Sequence, residues 1–87
     1  MKIINNGKKI GEITFDSKSD IFFVKFEGAE RESYRKVFSL LIDRIKKRAY
    51  PDLFFDPSNG RVENCNKGII LAIKQELFMD LEWVLVE

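Results

Sequence analysis

Ile21-Phe22-Phe23-Val24-Lys25-Phe26 decides how this chain is read. Aromatic and β-branched residues dominate it, and such side chains suit a pleated, half-buried strand. Successive strand side chains alternate, so Phe22, Val24 and Phe26 share one face and Ile21, Phe23 and Lys25 the other. The face with three large apolar residues is expected to meet the core. The opposite face keeps Ile21 and Phe23 and is therefore only partly polar.

Toward the N-terminus, Asp16-Ser17-Lys18-Ser19-Asp20 is polar turn chemistry. Residues 10–15 precede it as a second strand. A strict period of two puts Ile13 and Phe15 on one face and Ile10, Glu12 and Thr14 on the other. Asn6-Gly7 marks a tight hairpin, since both residues accept the positive φ it needs. Residues 2–4 are then a first short strand.

Toward the C-terminus, Gly28 closes the sheet segment. Tyr34, Val37, Phe38, Leu41, Ile45 and Ala49 recur at spacings of three and four, which predicts a helix over residues 30–49 with one apolar face. Glu30 and Glu32 in its first turn and Lys46, Lys47 and Arg48 in its last match the helix dipole. Pro51 stops it. Leu53-Phe54-Phe55 reads as a buried central strand opening into the loop Asp56-Pro57-Ser58-Asn59-Gly60. The apolar run 69–73 fits a strand or a buried helix. Its continuation Lys74-Gln75-Glu76-Leu77-Phe78-Met79 has helical propensity, so a helix is expected over 66–79. Residues 83–86 read as a final strand.

The expected order is β-β-β-α-β-α-β, an α+β or α/β two-layer sandwich with a mixed sheet and two helices. The strands at Leu53 and Trp83 would be parallel, joined by a right-handed crossover. Two arrangements stay open: both helices on one sheet face, or one on each.

The stretches Ile13-Thr14-Phe15-Asp16, Ile21-Phe22-Phe23-Val24-Lys25-Phe26-Glu27-Gly28 and Pro51-Asp52-Leu53-Phe54-Phe55-Asp56, with a helix between the last two, resemble the STAS or anti-sigma-factor-antagonist-like family. The resemblance covers about residues 12–60 and rests mostly on apolar spacing. It implies a regulatory domain that binds partner proteins near its second helix. In phosphorylated members a serine lies near the start of that helix, and the nearest match is Ser58. The family's Asp-Ser-Ser-Gly-like signature is absent, and Cys65 and Asn66 occupy the approach to the expected helix.

Eighty-seven residues point to one domain spanning 1–87. A chain this short needs a dense core. The 45% apolar content, with eight Phe and one Trp, supplies it. Fifteen basic against fourteen acidic residues give a net charge of +1, with no global attraction for nucleic acid or anionic membrane. One cysteine forms no internal disulfide, which suits a reducing compartment. No apolar run approaches the roughly 18 residues of a membrane span, and Met1-Lys2-Ile3-Ile4-Asn5-Asn6 lacks the apolar stretch of a signal peptide. A cytoplasmic location is expected.

The absence of histidine removes Ser-His-Asp and Cys-His nucleophile systems and histidine zinc sites. No Walker or dinucleotide glycine pattern is present. No catalytic residue, cofactor or metal is assigned. Cys65 is either a thiol activated at a helix N-terminus or a small buried apolar residue. Asp56, Ser58 and Asn59 form a loop site beyond a strand end: with Asp52 and Asp80 they would offer oxygens to magnesium, or they are simply turn chemistry. Lys46, Lys47 and Arg48 are the candidate phosphate contacts, set against a solvated, dipole-matched helix end. Ile4, Ile10, Ile21 and Phe23 form the candidate partner-binding face if both helices cover the other side. Trp83 is a core anchor or an interface residue. The function expected is non-enzymatic docking on another protein, as a regulator or an immunity- or inhibitor-type protein, with a hetero-partner or a second copy. The alternative is nucleic-acid binding through the basic helix end.

Overall fold

The computed structural model describes residues 1–16 and 18–87; Ser17 of the expected turn lies outside them. The elements are β1 (Lys2–Asn5), β2 (Lys8–Asp16), β3 (Ile21–Phe26), α1 (Arg31–Arg48), β4 (Phe54–Asp56), β5 (Arg61–Glu63), α2 (Lys67–Leu81) and β6 (Val84–Val86). The six strands form one sheet in the order β4-β5-β3-β2-β1-β6. Every neighbouring pair is antiparallel.

The two-layer α+β architecture is as expected, but the strand order differs. The additional strand is β5. Asp56-Pro57-Ser58-Asn59-Gly60 does not open a loop from a central strand; it turns β4 straight back, with Asp56 opposite Arg61. Gly60 makes this possible at φ 77°, in the left-handed region. β4 therefore lies at one edge of the sheet and β6 at the other, beside β1. The expected parallel pair and its crossover are replaced by antiparallel joins.

α1 ends where Pro51 requires, with the Ala49 amide donating to Ile45 O and the Tyr50 amide to Lys46 O. α2 starts at an Asn66 cap, whose Oδ1 accepts from the Ile69 amide at 3.0 Å. It ends with Glu82 at φ 58°. The Glu82 amide donates back to Phe78 O, the bond of an αL close, and the Trp83 amide donates to Leu77 O.

Both helices cover the same sheet face. Phe38, Leu41 and Ile45 of α1 and Ile69, Ile73 and Leu77 of α2 join Phe22, Val24 and Phe26 in one cluster. Phe26 is its aromatic hub, with ring centroids 5.7 Å from both Phe38 and Trp83. Trp83 meets Tyr34 edge-on and is a core anchor. The helices are tied outside by Arg44–Asp80 and Arg48–Glu76, each at 2.5 Å. No described helix is long and apolar enough to cross a membrane.

A bulge explains the one inverted face. Ile3 pairs with Gly11 and Ile4 with Lys9, so Ile10 is an extra residue in β2. It restores Ile10 to the core side, where it is 1% exposed. Beyond the bulge, Ile13 is buried and Glu12 and Thr14 face outward, as alternation requires.

Candidate functional site: the helix-free sheet face

Opposite the helices, the sheet is bare. Its central row runs Asp56, Arg61, Phe23, Thr14 across β4, β5, β3 and β2. The next row runs Phe54, Glu63, Ile21, Asp16. Phe23 is 42% exposed and Phe54 48%, while Ile21 is half-buried beside Phe23. Between the two aromatics lies a charged pair, Arg61 and Glu63 at 3.4 Å. Exposed aromatics beside charged groups are common on docking surfaces.

The β4–β5 turn adds relief to this face. Beyond the end of β5, Thr14, Phe23 and Lys25 with Ser58, Asn59 and Gly60 line a notch of about 420 Å³ that reaches past the sheet to Phe55 and Arg35 on the helical side. The notch exists because β5 pairs with β3 only from Ile21 to Phe23. Past the bond from the Val24 amide to Gly60 O, no strand lies alongside β3 on that side. Asp56 holds the turn: one carboxylate oxygen accepts from the Ser58 hydroxyl at 2.6 Å and the Ser58 amide at 2.9 Å. These bonds hold the Asp56 carboxyl below its ordinary value. Asn59 Oδ1 accepts from the Arg61 amide at 2.9 Å. Asp56 Oδ1 and Asn59 Oδ1 are thus engaged by the turn itself. Among the described residues no three acidic or thiol groups gather as a metal cluster, and Asp80 is engaged with Arg44 on the helical side.

The expected docking residues are distributed as follows. Ile21 and Phe23 lie together on the bare face. Ile4 is half-buried on the same face, two strands beyond β3 and beside Val84. Ile10 does not belong there, because the bulge turns it into the core. Phe54 was hidden by its neighbours: the unbroken apolar run Leu53-Phe54-Phe55 gives no alternation to show that its middle residue faces away from the helices. The notch was hidden with β5, although Asn59-Gly60 is the same turn signal as Asn6-Gly7. Ser58 sits in the hairpin turn, nine residues before α2 begins at Lys67.

The basic helix end is partly engaged. Arg48 is bound to Glu76, and Lys46 is half-buried. Lys47 is exposed. Cys65 stands just before the Asn66 cap, buried, and burial with the nearby Asp20 carboxylate pushes its thiol up to about 12. It is therefore a protonated packing residue and not an activated nucleophile.

No protein-family model, no curated protein and no solved structure matches this chain.

Proposed function

We propose that the chain is a non-enzymatic protein-binding module that docks a partner through its helix-free sheet face, centred on Phe23. The observation that carries this reading is the group of Phe23, Phe54 and Ile21, with two exposed phenylalanines, on a sheet face that neither helix covers. Aromatic side chains with few rotamers make strong anchors at low entropic cost. The neighbouring notch offers a recess for one partner side chain. A regulator of the kind the STAS resemblance implies, or an inhibitor that seals a partner's active site, would each use such a face.

The test is a paired affinity capture with wild-type and Phe23→Glu protein from a lysate of the cells that make it. The reading expects one stoichiometric protein that wild type retains and Phe23→Glu loses, with both proteins equally folded by circular dichroism. Equal capture by both would place docking elsewhere. Unfolding of Phe23→Glu would make Phe23 a structural residue and end the reading.

A further inference from the structure

The β6 edge differs from the rest of the surface in being apolar, unprotected and self-complementary. Met1 and Ile13 bond reciprocally, at 2.8 Å and 2.7 Å. The backbone groups of Met1 and Ile3 therefore point to β2, and those of Lys2 and Ile4 to β6, because strand groups alternate sides. Lys2 pairs with Val86 and Ile4 with Val84, so these two valines spend their groups on β1. Leu85 is left with its amide and carbonyl directed out of the sheet edge. No proline, lysine or bulge lies in the three-residue strand Val84-Leu85-Val86 to blunt its edge.

α2 runs beside this edge. Leu71, Lys74 and Phe78 form a stripe at helical spacing and line a groove of about 620 Å³ with Trp83, Val84 and Leu85. Leu71 and Phe78 are each 59% exposed. Lys67 begins the same stripe and Glu82 follows its end. Neither Lys67 nor Glu82 has an ion-pair partner within 4 Å among the described residues.

We propose that this edge binds a second copy of the chain, β6 against β6 about a two-fold axis at Leu85. There the two Leu85 residues exchange both backbone bonds, as a hydrogen-bonded antiparallel pair does. Val84 of each copy faces Val86 of the other. The same axis sets the two α2 helices antiparallel, with Leu71 of one opposite Phe78 of the other. Lys67 then meets Glu82 across the axis twice, which gives charge complementarity at both ends of an isologous interface. The two Lys74 side chains flank the axis, their stems over apolar surface and their amines in solvent. This association uses a different surface from the Phe23 face and stands independently of docking there.

The test is sedimentation equilibrium of the full chain across the micromolar range. Wild type should approach twice the 10.2 kDa of one chain. Lys67→Glu and Glu82→Lys should each weaken association about tenfold, and the double exchange should restore it. Neither reversal threatens the fold, since Glu suits a helix start and Lys a helix end. Phe23→Glu should leave the association unchanged. The Leu85 amide should gain protection from hydrogen exchange only as protein concentration rises. A monomer throughout the range would overturn the proposal. So would association that Phe23→Glu abolishes, or that ignores both charge reversals.

Discussion

The amide of Val24 donates to the carbonyl of Gly60 at 2.8 Å, and a Cβ on Gly60 would overlap the carbonyl oxygen of Val24. Gly60 also sits at φ 77°. Two constraints, steric and conformational, therefore fall on one residue, and together they hold the β4–β5 hairpin against β3. Gly60→Ala should cost about 3 kcal/mol or more, the range of strained backbone plus a displaced strand. Urea unfolding checks it. A cost below about 1 kcal/mol would mean that the hairpin yields freely.

The bulge at Ile10 makes a paired forecast. Ile10→Ala should destabilise by about 2–5 kcal/mol, because it empties a fully packed site. Phe23→Ala, on the bare face, should cost less than about 1 kcal/mol. Equilibrium denaturation of the two variants measures the difference. Equal costs would show that Ile10 and Phe23 share an environment, contrary to the register of β1 and β2.

Asp56 should titrate below its usual 3.8, and Ser58→Ala should bring it back toward that value. The sign follows from the Ser58 bonds, which favour the carboxylate. A carboxyl whose pKa is lowered in the fold contributes stability above its unfolded value. That contribution is lost as pH falls from about 3.8 through the lower folded pKa. Side-chain carboxyl NMR during an acid titration reads both proteins.

Cys65 should resist alkylation in the folded chain at pH 8. Its ordinary pKa of 9.0 is raised to about 12, leaving roughly one thiolate in ten thousand, and the sulfur is buried as well. Mass spectrometry after iodoacetamide treatment should show the unmodified chain, and urea should release full labelling. Because the folded pKa is the higher one, the thiol's contribution is complete below pH 9 and fades above it. Rapid labelling under native conditions would contradict this burial.

Much of the fold was legible because alternation and helical period speak through single residues. Phe22, Val24 and Phe26 announce the core face of β3, and the Tyr34 to Ile45 spacing announces α1. α2 emerged within two residues of its bounds despite an ambiguous apolar run. What stayed hidden were features that break periodicity. Ile10 inverts its face through one extra residue in β2, which pairing with β1 alone reveals. Arg61-Val62-Glu63 is too short to register as a strand until Phe22 lies opposite Val62. Missing it left Asp56 to Gly60 looking like a loop, made the Leu53 segment central, and imposed a parallel crossover that the chain does not need. Of the docking face, Ile21 and Phe23 were visible from alternation, whereas Phe54 sits in an unbroken apolar run that does not show which way it faces.

The pairing of Lys2 with Val86 joins residues made far apart in time. On a ribosome Val86 is translated 84 residues after Lys2, the β1 residue it pairs with. At roughly 5–20 residues per second, β1 waits several seconds with one side unpaired. Leu85 and Trp83 are missing from the core for the same interval. The nascent chain can form the β1–β3 meander early, but the complete sheet must wait until residues 84–86 have cleared the exit tunnel. A chain truncated after Leu81, which lacks Trp83 and β6, should therefore be a collapsed, protease-sensitive species, whereas the chain through Glu87 should form the compact domain.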